Sequence, residues 1–424
     1  MHKLLLILLL FVPLTFFAQL EEARRITQTL CSPEFHGRGY VNQGDSIAAE
    51  FIAAEFQKLG LDPIKGNYFQ SFTHNVNTFP GKMEVKTGDR LLQPGIDFLI
   101  DPSSPGGNKT LNPILVNYEL IKNEPQFIWT IKHVLNDKTH DAFVFDFSSA
   151  PKDSVKDFIK FSRDFITVSK MPVFLVTEDK FTWSVSDEVL LAPYILLKPG
   201  TWNEGESIIL DIDQQFKVNY NSRNVMAMIK GKGCSKKTIV FTAHYDHLGR
   251  MGSDTYFPGG NDNASGIAML LVMAKYFKEH PPKFNVLFIA FAGEEAGLLG
   301  SKYFTENPQY NLKKIDFLIN LDIMGSGEEG VTVVNATLFE KEFALLQEIN
   351  KEKNYLTQIK SRGPAANSDH YWFTQMGVPA FFIYTMGPNK NYHDVFDSYE
   401  NLSFAEVIDM TDMLVHFAEK LTSK

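Results

Sequence analysis

From residue 222 onward the chain alternates short, largely apolar runs with longer stretches of helical spacing. Runs at Thr238–Ala243, Phe284–Ala292, Asp316–Leu321 and Pro379–Tyr384 predict strands, because near-continuous apolar segments suit strands buried on both faces. Ser265–Phe277, Leu299–Thr305, Phe339–Asn350 and Phe404–Leu421 predict helices between or after them. This alternation predicts an α/β fold, a mainly parallel mixed sheet sandwiched by helices. Upstream, Glu21–Leu30 and Asp45–Leu59 also carry helical spacing. Gly60 stops the second, and the glycine-rich turn His36-Gly37-Arg38-Gly39 precedes it.

From about Val76 to Gln215 the texture changes. β-prone runs such as Ala142–Phe147 and Pro172–Val176 alternate with Pro/Gly turns, as at Ser104-Pro105-Gly106-Gly107. A separate, mostly β insert with one or two helices is expected. The division is then a leader at 1–18, an amino-terminal part of the main domain at 19–75, the insert at 76–217, and the rest of the main domain at 218–424.

The leader follows from Lys3, the apolar run from Leu4 to Leu10 continuing to Phe17, and Ala18 before the polar Gln19, Glu21 and Glu22. That is the pattern of a secretory signal peptide cut after Ala18. The run is short for an uncleaved anchor, which wants about 20 apolar residues. An exported protein, periplasmic or extracellular, with no stable membrane insertion after cleavage is expected. The net charge of -9 over 424 residues speaks against a nucleic-acid partner. Cys31 and Cys234 are the two cysteines. Export permits a disulfide, but the sequence leaves their pairing open. Two thiols do not make a cysteine zinc site, so a metal here would be held by histidine and carboxylate.

Such residues stand where the predicted strands end. Thr238–Ala243 runs into His244-Tyr245-Asp246, Phe284–Ala292 into Gly293-Glu294-Glu295, and Asp316–Leu321 into Asp322. Asp262 lies in a glycine-rich loop, and His393 follows Tyr392. In parallel sheets functional groups gather beyond the carboxyl ends of strands, so all five places are expected on one edge. Each has an ordinary reading: His244 as a turn residue, Asp262 as a helix cap, Glu294 and Glu295 as a solvated pair. Adjacent carboxylates after an apolar strand, however, repel each other unless a cation sits between them.

With these pieces in order, the chain resembles the co-catalytic zinc exopeptidases, the superfamily of secreted bacterial leucyl-type aminopeptidases, glutamate carboxypeptidase II and glutaminyl cyclase. The resemblance rests on Ala243-His244-Tyr245-Asp246, Gly260-Asn261-Asp262-Asn263-Ala264-Ser265-Gly266, Gly293-Glu294-Glu295-Ala296-Gly297, Asn320-Leu321-Asp322-Ile323-Met324-Gly325, Ser368-Asp369-His370 and Tyr392-His393-Asp394-Val395-Phe396-Asp397. It implies two Zn2+ per chain, with Asp262 bridging, His244 and Asp322 on one ion, and Glu295 and His393 on the other. It implies Glu294 as general base to a metal-bridging hydroxide, Tyr392 as oxyanion support, and a cis peptide bond at Asp262–Asn263. Asp246 would orient His244, Asp397 would support the His393 loop, and Asp369 and His370 match a segment near the substrate pocket, with a capped helix start as their simplest reading. Tyr371 and Phe373 are candidates to line a specificity pocket, though aromatic residues at such spacing are more often core. The insert is faintly similar to a protease-associated domain.

Peptide substrates cleaved at the amino terminus are the expectation. A cyclase would not need both His244 and Asp322, and a decayed binding scaffold would not keep every donor. Carboxypeptidase action would need arginines for a substrate carboxylate, for which Arg362 and Arg250 are near the motifs.

Overall fold

The computed structural model describes residues 18–137, 139–233 and 236–423. Leader residues 1–17 lie outside them, and so does Cys234, whose pairing with the buried Cys31 the sequence leaves open.

Nine strands build the main sheet: β1 (Asp62–Pro63), β2 (Phe69–Thr78), β3 (Gln215–Ile229), β4 (Thr238–His244), β5 (Asn285–Phe291), β6 (Phe317–Leu321), β7 (Val331–Val334), β8 (Ile359–Ser361) and β9 (Ala380–Thr385). Their order is β1-β3-β5-β4-β6-β9-β7-β8, with β2 also on β3. The four strands predicted from sequence form its parallel centre, β5-β4-β6-β9. β3 and β7 flank that centre antiparallel.

The centre is apolar throughout because helices cover both faces. Ile239, Phe241 and Ala243 of β4 pack with residues of the helices Gly44–Lys58, Ser265–Glu279, Glu340–Lys353 and Val407–Thr422. Val240, between them in sequence, packs on the other face with Phe304 and Phe373 from the helices Leu299–Glu306 and His370–Gln375. Phe373 is therefore core, not pocket lining. Among the described residues no helix is long and apolar enough to cross a membrane.

The inserted segment holds more helix than expected. A mixed five-stranded sheet (Phe98–Ile100, Tyr194–Leu197, Val173–Val176, Ala142–Asp146, Pro113–Asn117) sits beside an antiparallel four-stranded one. Three of the pairings in the five-stranded sheet are parallel. Parallel neighbours require crossover segments, usually helices; Tyr118–Lys122 with Glu124–Asp137 supply one and Val155–Ser169 a second, while the third runs through the irregular segment 177–193. The expected limits at 76 and 217 fall within β2 and β3, which pair from Phe69↔Val225 to Thr78↔Gln215. The insert is thus carried on a two-stranded ribbon continuous with the main sheet.

Candidate metal centre

Because β5, β4, β6 and β9 run parallel, the segments after their carboxyl ends share one edge. His244 ends β4, Glu294 and Glu295 follow β5, Asp322 follows β6, and Tyr392 and His393 lie in the loop after β9. Asp262 comes from the loop that opens the helix Ser265–Glu279, and the Asp262–Asn263 peptide bond is cis.

These side chains converge. His244 Nε2 lies 3.2 Å from Asp262 Oδ1 and 3.3 Å from Asp322 Oδ1. His393 Nε2 lies 3.0 Å from Asp262 Oδ2 and 3.1 Å from Glu295 Oε2. Asp262 thus gives one oxygen to each of two three-donor groups. Donors held about 2.0–2.1 Å from a tetrahedral zinc ion stand roughly 3.3 Å apart, and the observed separations agree.

The electrostatics also fit a cation. Asp246, Asp262, Asp322, Asp369 and Asp397 are all buried, and the Glu295 side chain is 4 % exposed. Arg38, buried beneath the same loop, offers them no direct pairing. Its guanidinium donates to the carbonyls of Leu30, Tyr245, Pro258, Gly259 and Asp262. Burial alone would raise Asp262, but hydrogen bonds from His244 and His393 outweigh it and hold the carboxylate well below its usual range. Burial opposes charge on His393, yet Glu295 and Asp262 pull the imidazole up to about 11. The carboxylates stabilise positive charge where the two imidazoles stand, and a divalent cation supplies it more strongly than a proton. Glu294 differs: burial, reinforced by Asp322, Glu295 and Asp369, drives it well above the usual carboxylate range.

The support around the donors differs in places from the sequence reading. His244 Nδ1 faces the main-chain carbonyl of Asp246 at 3.1 Å, while the Asp246 carboxylate is 3.8 Å away. That carboxylate instead accepts the amides of Glu294 and Glu295 and the Tyr40 hydroxyl. Asp397 holds the Asp262 loop rather than the His393 loop, accepting the amides of Asn261 and Asp262 at 2.9 and 3.0 Å. The His393 loop is gripped from the insert. The Trp183 amide donates to the His393 carbonyl, and the Trp183 carbonyl faces His393 Nδ1 at 2.9 Å, leaving Nε2 for the carboxylates. Lys180 Nζ reaches Asp394 Oδ2 at 2.6 Å and the Lys390 carbonyl at 2.7 Å.

Three further supports were not read from the sequence. His247 Nδ1 lies 2.8 Å from Glu295 Oε1, and His247, Asp262 and Glu295 also converge as a possible donor group. The signal was available, since His247 directly follows Asp246. Ser368 Oγ donates to Asp322 Oδ2 at 2.7 Å, and the chain continues through Asn320 to Thr242. Asn263 Oδ1 accepts from Gly266, and a Cβ at Gly266 would collide with that oxygen and with the Leu321 carbonyl.

A cleft of about 260 Å3 opens over the centre, lined by His244, Asp262, Glu294, Asp322, His393 and Tyr392 together with Ile323, Arg362, Asn367, Phe382 and Tyr384. The Tyr392 ring stacks on His393 at 3.9 Å between centroids. Asp369 and His370, expected near substrate, do not line the cleft. Asp369 is buried at the start of the helix His370–Gln375, which it does not cap by side chain. His370 packs on Phe382 and, with Tyr371, borders a neighbouring cavity of about 170 Å3. Alternation explains the miss: strand β9 turns Phe382 and Tyr384 to the cleft, and neither carries a motif signature.

Residues 224–418 match the sequence model of Peptidase family M28. Aminopeptidase YwaD of Bacillus subtilis is 31% identical over 219 residues, 47% of this chain and 46% of that protein. The chain spans less than half the length of the curated relatives it matches. Among solved structures, BSAP, a zinc aminopeptidase from Bacillus subtilis, superposes with a TM-score of 0.68 at 19% identity, covering 95% of both chains. A peptidase M28 precursor from Shewanella amazonensis gives 0.65 at 14% identity over 96% of this chain and 98% of that one. At these identities the superpositions speak to the fold.

Proposed function

We propose, for a chain whose residues 224–418 match the model of Peptidase family M28, that it is a two-zinc aminopeptidase acting outside the cytoplasm. The sharing of Asp262 between two histidine-carboxylate groups carries this reading. His244, Asp262 and Asp322 would hold one ion, and Asp262, Glu295 and His393 the other. When bound, zinc supplies Lewis acidity, polarising the scissile carbonyl and easing deprotonation of water.

The protein's own residues do the rest. Glu294 lies beside His244 and Asp322 without belonging to the paired donors around His393. With cations neutralising the surrounding carboxylates, its side chain would be ionised, and would take the proton from the attacking water and return it to the departing amine. Hydrogen bonds from the amides of Glu294 and Glu295 to Asp246 fix that segment. Tyr392, stacked on His393 and facing the cleft, places a phenol where a developing oxyanion could be met. The apolar run ending at Ala18 supports export.

The test is release of amino acids from free and amino-blocked peptides, before and after chelation. Hydrolysis of free amino termini only, abolished by chelation and restored by zinc, is expected. Release from carboxyl termini would move the reading to carboxypeptidase, and cyclisation of amino-terminal glutamine to a cyclase.

A further inference from the structure

We propose that the cleft selects substrates bearing a carboxylate, recognised by Arg362; this rests on the peptidase reading above and names its substrate class. Of the residues lining the cleft, Arg362 is the one lysine or arginine. Its side chain donates to Tyr384 Oη at 3.3 Å, and no carboxylate among the described residues pairs with it. Arg25, Arg90, Arg163 and Arg223, by contrast, each pair with an acidic side chain of the protein, while Arg24 and Arg38 donate to main-chain carbonyls away from the cleft lining. Arg250 bonds His36 and the Ser253 carbonyl and does not line the cleft.

A guanidinium presents five donors in a planar fork suited to a carboxylate. Here the bond to Tyr384 steadies the fork, and its remaining donors have no acidic partner on the protein. Ile323 and Phe382 give the same cleft apolar walls for the stem of a side chain. At about 260 Å3, it falls just short of the roughly 300–1,000 Å3 of drug-sized sites, so it suits one residue or a dipeptide. The carboxylate is therefore either an acidic side chain on the terminal residue or the free end of a dipeptide.

Zinc-loaded protein should be assayed on glutamyl-, glutaminyl- and leucyl-anilides, and on leucyl-alanine beside its carboxamide. At least one acid should exceed its neutral isostere by about ten-fold in kcat/KM. Preference among the anilides identifies the side chain as the source, and preference for the free dipeptide identifies the terminal carboxylate. Arg362→Met should bring the favoured ratio within about two-fold, with Arg362→Lys between, since lysine keeps the charge but loses the fork. Arg362 is exposed, so neither substitution threatens the fold. Equal rates for acid and isostere in the unaltered protein, or a ratio that survives Arg362→Met, would overturn the proposal. No hydrolysis of any substrate would overturn the peptidase reading, and this one with it.

Discussion

Lys180→Met asks how far the insert controls the candidate metal centre across from it. Lys180 Nζ stands 2.6 Å from Asp394 Oδ2 and donates to the carbonyls of Lys390 and Tyr392 at 2.7 and 3.4 Å, bracketing the loop that carries His393. The Asp394 side chain is 4 % exposed but that of Lys180 is 48 % exposed. Solvent therefore screens much of the attraction, and a fully exposed pair would contribute only about 0–1 kcal/mol. The buried carboxylate and two carbonyl bonds raise this to about 1–2 kcal/mol. Asp394 keeps the amides of Phe396 and Tyr392 after the substitution, so the loop loosens rather than unfolds. A loss of about 1.4 kcal/mol is ten-fold in population. Zinc at the His393 group should be held about ten-fold less tightly, with kcat/KM falling by a similar factor. Competition with a chelator, read as zinc retained per chain, separates that site from the His244 site. Lys180→Arg should restore most of the loss. Unchanged affinity at both sites with kcat/KM within about two-fold would refute the reasoning, because the insert would then only touch the loop.

Glu294→Gln should keep its zinc and lose about 10²–10⁴-fold in kcat, measured by metal content beside steady-state rates; retained turnover would remove Glu294 from the chemistry. Ser368→Ala frees the Asp322 oxygen it binds at 2.7 Å, and zinc should be held about 10–100-fold less tightly at the His244 group, as chelator competition would show. Burial lifts Asp45 from 3.8 to about 6 despite hydrogen bonds from Tyr220 and Ser222. The folded chain therefore keeps this proton to higher pH than the unfolded chain does. The resulting stability, about 3 kcal/mol, is fully present below pH 3.8 and lost as pH rises through about 6. Urea denaturation across that range should show unaltered protein losing stability relative to Asp45→Asn as pH rises, and a flat difference would exclude the shift.

The sequence carried those parts whose signal is local. Buried parallel strands must be apolar along their whole length, so β4, β5, β6 and β9 stood out, and with them the histidine and acidic residues that follow. β3 was missed because its first half, from Gln215 to Asn221, alternates polar with apolar residues and is largely exposed on both, while only its second half is core. Phe382 and Tyr384 were missed because an aromatic residue on a strand reads the same whether it faces a cleft or a core. Asp246, Asp397 and Ser368 were visible as residues, but which backbone amide or carboxylate each one serves depends on loops 46 to 136 positions distant.

The supports hardest to read act through or upon the main chain, for a physical reason. A metal donor must be a particular side chain, whereas the groups that aim it need only an N–H or a C=O at the right place. Trp183 steadies His393 through its own amide and carbonyl, 210 positions away, while its indole packs on Phe257 and donates to the Ile100 carbonyl. Its side chain fixes the segment, and its backbone fixes the ligand. Arg38 works in the complementary sense: one side chain collects carbonyls from Leu30, Tyr245 and the Pro258–Asp262 loop. Both place the donors before any cation arrives, so that binding need not order them. An insert gripping His393 and a buried arginine gripping the Asp262 loop thus divide the support between them: looseness at His393 falls on one donor group, while looseness at the shared Asp262 falls on both.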